Sequence, residues 1–203
     1  MKYPFFASFI IFIFVLTHGI RRNRRLRDKA EQDFWEREEQ ANATRRKPLD
    51  DLVYVRIPLE ELPVEVLSDT EEVQGFVQVL KALSGDRIVN LTGYTNTDLK
   101  LRYGAPNLPD LSRMDENFTL LVQTLEKWAG FLWEQGETEA SVRVMEYEIS
   151  IRADDGSAYR RLARYYRDRG QDYRIEELVN AAQELRSLSK NAILRSLSEI
   201  REG

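Results

Sequence analysis

The sequence has no cysteine and a single histidine, His18, in 203 residues. The first absence excludes a disulfide framework, zinc–thiolate sites and cysteine nucleophiles, and it fits a reducing compartment. The second excludes a histidine-based triad or a multi-histidine metal site downstream of residue 18. Only the carboxylates, lysines, serines, threonines and tyrosines common to most proteins remain, so no catalytic residue, no metal and no cofactor is expected. No G-x-x-x-x-G-K-[ST] and no G-x-G-x-x-G occurs, which leaves nucleotide binding without a motif. A net charge of −4 offers no sign of nucleic acid as a partner.

Proline is scarce and unevenly placed. After Pro4 it occurs only at Pro48, Pro58, Pro63, Pro106 and Pro109. Long proline-free stretches on either side of a proline-bearing middle predict helix, irregular connector, helix. The divisions are residues 1–20, 21–47, 48–110 and 111–203.

Residues 4–20 read PFFASFIIFIFVLTHGI, without an acidic, lysine or arginine side chain. Phe5, Phe6, Phe9, Phe12 and Phe14 surround a helix on all sides, a pattern suited to lipid. Seventeen residues span roughly 25 Å, near the lower limit for a bilayer core of about 30 Å. Arg21, Arg22, Arg24, Arg25, Arg27 and Lys29 follow the run, whereas only Lys2 precedes it. These features predict a single-pass anchor in the cell membrane, lipid being the partner of residues 4–20, with the N-terminus outside and the C-terminal domain cytoplasmic. The six cations could also rest on anionic headgroups. Beyond them, to about Thr44, the helix continues as a polar one with Phe34 and Trp35 as its main apolar residues.

In the middle, Val53–Ile57 has β-type residues, but Pro58 limits it to a short edge strand. Glu71–Ser84 reads as a helix with Val73, Phe76, Val77, Leu80 and Leu83 on one face. Asn90–Thr97 reads as a polar loop, and Thr97 as the N-cap of a short helix, Asp98–Tyr103.

From Asp115 the pattern turns strongly helical. Leu121, Leu125, Trp128, Ala129 and Leu132 share a face that Gly136 ends. Glu137 to about Ile151 follows, then Ser157–Arg169 with Tyr159, Leu162, Ala163 and Tyr166 inward, stopped by Gly170. A further helix from Asp172 carries Ile175, Leu178, Val179, Ala182 and Leu185. Gly170 lies 34 positions after Gly136. The same offset carries Trp128 onto Leu162, Ala129 onto Ala163, Leu132 onto Tyr166 and Met145 onto Val179. Ile193, Leu194, Leu197 and Ile200 repeat as a capping helix would.

Over residues 120–186 this period resembles the tetratricopeptide repeat, with departures at Ser141, Glu148 and Ile175, where alanine is usual, and no closing proline. A plain antiparallel bundle shows much of the same periodicity. The whole chain also resembles an uncharacterised family of small membrane-anchored bacterial proteins. Phe34-Trp35-Glu36-Arg37-Glu38, Ile57-Pro58-Leu59, Asn90-Leu-Thr-Gly and Thr97-Asp98-Leu99-Lys100 carry that resemblance, which implies an architecture and no activity. The expected fold class is mainly α: one transmembrane helix, a connector with a few helices, and two tetratricopeptide-like units plus a capping helix.

In such repeats the first helix of each unit lines a groove for peptides. Applied to this chain, the resemblance places Arg160, Arg164 and Arg167 on one helical face, with Arg161 beside them and Trp133 on the matching face of the first unit. Guanidinium groups near an aromatic suit an acidic peptide or a free carboxylate. The expected function is a membrane-tethered scaffold that binds a protein partner. The alternatives are a structural subunit acting through its anchor, or an enzyme or lipid-binding protein using the 90–97 loop.

Overall fold

The computed structural model describes residues 4–202, and within the first helix it leaves out the side chains of residues 4–11, 15, 19–23, 25 and 26. Helix α1 runs Pro4–Ala43 without a break. After it come α2 (Glu71–Leu83), α3 (Asn96–Tyr103) and a 3-10 turn (Ala105–Asn107). The remainder is α4 (Leu108–Glu134), α5 (Thr138–Ser150), α6 (Gly156–Arg167), α7 (Asp172–Gln183) and α8 (Lys190–Glu202).

The expected membrane anchor is overturned. Among the described residues no helix is long and apolar enough to cross a membrane. The uncharged run is only 17 residues long, about 25 Å against a core of about 30 Å, and it continues directly into an arginine-rich turn of the same helix. The transmembrane element of the expected fold class goes with it. So does the localisation in the cell membrane, with N-terminus outside and C-terminal domain cytoplasmic. Most side chains of residues 4–20 lie outside the described residues, as do those of Arg21, Arg22 and Arg25.

The chain divides into two compact units, Met1–Lys47 with Asn96–Leu108, and Pro48–Thr95 with Pro109–Gly203. In the first, the C-terminal end of α1 is clasped by α3. Arg37 pairs with Asp98 at 2.6 Å, and Thr97 Oγ1 donates to Glu38 at 2.6 Å. Thr97 therefore spends its hydroxyl on α1 rather than on capping its own helix, which starts at Asn96. Lys100 also donates to Glu38, and these two hydrogen bonds hold the Glu38 carboxyl below its usual range. Gly104 (φ 93°) lets the chain pass Arg45, whose carbonyl oxygen would lie 2.1 Å from an added Cβ.

In the second unit, the edge strand expected at 53–57 shrinks to one antiparallel bridge, Tyr54 to Val89, with Val55 N donating to Ile88 O at 2.9 Å. Pro58 cannot donate to a ladder, so pairing stops there. Helix α2 starts at a Thr70 cap, buries Val73, Leu80 and Leu83, and sets Phe76 edge-on to Phe131 of α4 at 6.4 Å. Most of the unit's core comes from α4–α8, where α5 packs on α6 and α7, and α6, α7 and α8 pack on one another. Helices α4 and α5 meet closely where Ser141 Oγ donates to Ala129 O at 2.7 Å, both residues buried.

These packed helix pairs are compatible with a helical repeat, and the offset of 34 reaches the backbone. Gly136 N donates to Trp133 O (3.1 Å) and Glu137 N to Leu132 O (2.9 Å). Thirty-four residues on, Gly170 N donates to Arg167 O and Gln171 N to Tyr166 O, both at 2.9 Å. Both glycines have positive φ, 83° and 67°, and both ends close as the same left-handed glycine cap. The offset also extends to α8, where Ile193, Leu197 and Ile200 are buried as Tyr159, Ala163 and Tyr166 are in α6 and Leu125, Ala129 and Leu132 are in α4. Helix starts agree too: Ile193 N donates to Ser189 O (3.0 Å) as Tyr159 N does to Asp155 O (3.2 Å). Helix α8 thus buries positions at the same offset as α4 and α6, which is compatible with a helical repeat.

Candidate functional site

Alternation along α6 decides which side chains face out. Ala158, Tyr159, Leu162, Ala163, Tyr165 and Tyr166 turn into the core, which leaves Arg160, Arg164 and Arg167 on the opposite face. Asp155 fixes where the helix begins, its carboxylate accepting from Ser157 N (2.7 Å) and Ala158 N (3.0 Å).

Arg160 and Arg164 are exposed, and neither forms an ion pair among the described residues. Arg167 is exposed but leans toward α8, its guanidinium 3.5 Å from Ile200 O and 3.4 Å from Asp168. Arg161 is half-buried. It reaches across to α4, with its guanidinium carbon 5.8 Å from the centre of the half-buried Trp133 ring. The structure therefore joins Arg161, rather than the Arg160–Arg164–Arg167 stripe, to Trp133. The repeat offset pairs Trp133 with Arg167, one helix over.

Several other arginines of this unit are matched to acids. Arg143 lies 4.0 Å from Glu65, Arg152 pairs with Glu184, and Arg169 is 3.2 Å from Glu139. Arg174 binds Glu146 and lies 2.9 Å from Glu177. It also helps hold Tyr166, whose hydroxyl donates to Glu146 and is shifted well above its ordinary pKa, mainly by burial. Among the described residues Arg160 and Arg164 of the α6 outer face are in no such pair, whereas Arg167 is beside Asp168.

A cleft of about 280 Å³ opens beside Arg161, lined by Glu126, Ala129, Gly130, Asp155, Ser157 and Arg161 among others. A larger one of about 440 Å³ lies between α5 and α7, where Ile149 and Leu178 meet the Glu146–Arg174 pair.

Sequence reasoning missed the most perturbed group. Glu148 is fully buried in α5, and its carboxyl oxygens form no hydrogen bond with any described residue. Burial, reinforced by the negative charges of Asp155 and Glu126, raises its pKa to about 9. The signal was present in the repeat, since Glu148 occupies the position of Ala182 and of a usual alanine. Trp128 Nε1 and Tyr159 Oη are also buried without such a bond.

The start of the 90–97 loop spends its polar groups on the fold. Asn90 Nδ2 donates to Arg152 O (3.0 Å), Asn90 Oδ1 accepts from Thr92 N (3.0 Å), and Asp115 accepts from Leu91 N (3.0 Å). Gly93 lies so close to Arg186 that an added Cβ would be 2.7 Å from its Cβ. Of the basic residues after the apolar run, Arg24, Arg27 and Lys29 are exposed on α1. Among the described residues no group of three acidic, cysteine or histidine side chains is placed to hold a metal ion. Comparison with protein-family models, with curated proteins and with solved structures finds no match to this chain.

Proposed function

We propose that α4–α8 form a tetratricopeptide-like scaffold that binds an acidic segment of a protein partner on the outer face of α4 and α6. The repeat reading is supported by the matching glycine caps and by the buried triplets at one offset. The binding reading is supported chiefly by one observation. Arg160 and Arg164 are exposed, and among the described residues neither is in an ion pair. An unmatched guanidinium offers its planar donor fork to a carboxylate without first breaking an internal pair. Arg161, seated on Trp133, adds a pre-oriented cation beside an apolar surface.

Binding of this kind is driven by exposed charge, so it weakens with salt. The test is fluorescence anisotropy of a labelled hexaglutamate peptide with the full chain at low ionic strength. Arg160→Glu with Arg164→Glu is expected to weaken binding by at least roughly tenfold, with a melting temperature close to the parent's. Equal binding by the doubly reversed chain contradicts the proposal and leaves the stripe as a solvated helix face.

A further inference from the structure

Helix α1 carries its charge in two blocks. Residues 21–29 hold six cations and one acid, residues 31–39 hold five acids and one cation, and Ala30 stands between them. Every side chain from Arg27 to Glu36 is exposed, as is Arg24. Phe34, one turn after Ala30 on the same side of the helix, is 56% exposed. Further along, that side is covered within the unit: Arg37 and Glu38 bind α3, and Ala41 is fully buried. The charges nearest Ala30 are unmatched. Arg27 and Glu31 stand one turn apart, as do Lys29 and Asp33, yet among the described residues none of the four is in an ion pair. In both couples the cation precedes the acid, the less favourable order for pairing along one helix.

We infer that α1 pairs with α1 of a second copy of this chain, antiparallel and crossing at Ala30. A two-fold axis at Ala30 lays the cationic block of each copy along the acidic block of the other. A parallel pair would set cations against cations and acids against acids, so the charge pattern selects the direction. Ala30 has the smallest side chain that still favours a helix, and it lets the two backbones approach at the crossing. The register sets Phe34 level with position 26 of the other copy, a leucine. The axis also brings like flanks of the contact together. Arg27 then faces Glu31 of the other copy on one flank, and Lys29 faces Asp33 on the other. At about 1.5 Å of rise per residue, the members of each pair are offset by only about 3 Å along the helices. Exposed ion pairs contribute little singly, so their chief effect is to fix direction and register, while the covered Phe34 surface adds the apolar gain.

The experiment is sedimentation equilibrium of the full chain at low and at high salt. One variant reverses the basic block (Arg24→Glu, Arg27→Glu, Lys29→Glu), a second reverses the acidic block (Glu31→Lys, Asp33→Lys, Glu36→Lys), and a third carries all six changes. The parent and the six-residue swap are expected to dimerise at low salt and to weaken as salt rises. Each single-block reversal should need at least roughly tenfold more protein to associate, and an equimolar mixture of the two should dimerise again. Unchanged melting temperatures separate lost association from lost folding. The chain has no cysteine, so Ala30→Cys supplies its only thiol. Under mild oxidation Ala30→Cys should link two copies, because a disulfide needs Cα atoms within about 7 Å. Phe34→Cys should link far more slowly, its two Cα atoms being held about 12 Å apart along the helices. A parent that stays monomeric at low salt overturns the inference, as does a dimer that neither block reversal weakens. Failure of the mixture or of the six-residue swap to dimerise also overturns it. Linking through Phe34→Cys as fast as through Ala30→Cys would contradict the antiparallel direction.

Discussion

Glu148 gives the second unit a stability that depends on pH in an unusual window. Its carboxyl has a pKa of about 9 in the folded chain, against an ordinary 4.5. Below about pH 4.5 both folded and unfolded chains hold the proton, and the group's contribution to stability is fully present. As pH rises, the unfolded chain releases its proton first, while the folded chain keeps it until pH approaches 9. Stability is therefore lost at about 1.4 kcal/mol per pH unit for this one group. Between pH 5.5 and 7.5 the loss comes to about 3 kcal/mol, a large part of an ordinary domain's stability. The window is favourable because the chain has a single histidine, so few other side chains change charge there. Glu148→Gln keeps the shape and removes the titration. Urea unfolding of the full chain at several pH values should show the parent weakening across the window and the variant holding nearly level. Parallel profiles for the two chains would refute the claim that the buried carboxyl is held protonated.

Further consequences are open to the same assay. Asp155→Asn removes one of the two charges that push the Glu148 proton affinity up, so it should shift the onset of the flat high-pH region to lower pH. Ala163 is fully buried where helices meet, and Ala163→Leu should cost about 1–3 kcal/mol through overpacking, read as a lower urea midpoint. Gly104→Ala should cost clearly more than Gly136→Ala. Both glycines have positive φ, but an added Cβ meets the Arg45 carbonyl at 2.1 Å in the first and nothing within 4 Å in the second. Equal midpoints for the two would contradict the close approach seen at Gly104.

The helical packing of the C-terminal half was legible where its signals are local. Gly136 and Gly170 end helices because only a residue tolerant of positive φ closes that cap, and such glycines are visible in the sequence. The inward face of α6 was legible for the same reason, since it follows from a period of 3.6 residues. Helix α8 was read only as a cap. Its buried set, Ile193, Leu197 and Ile200, lacks the large aromatics of α6, so its match to the offset of 34 shows itself only through packing. Residues 4–20 misled because an apolar run of marginal length followed by arginines was read as a span with a positive inner flank, whereas no helix of the described residues is long and apolar enough to cross a membrane. At 53–57 β-type residues suggested a strand, but a strand needs a partner, and Val89 offers a single bridge. The burial of Glu148 depends on helices that close over it from distant parts of the chain. The pairing of Arg161 with Trp133 likewise depends on α4 lying beside α6, which no local pattern states.

The central claim is that the outer face of α4 and α6 binds acidic peptide, and the indole proton of Trp133 tests it most directly. The chain has three tryptophans, Trp35, Trp128 and Trp133, of which Trp128 is fully buried and Trp133 carries Arg161 against its ring. In a nitrogen-15-labelled full chain, addition of the acidic peptide should shift the Trp133 indole resonance and the backbone amides of Gly130, Arg161 and Arg164. The resonances of Trp35 and Trp128 should stay in place. Shifts confined to the α5–α7 side, or a Trp133 signal unmoved at saturating peptide, would contradict the account.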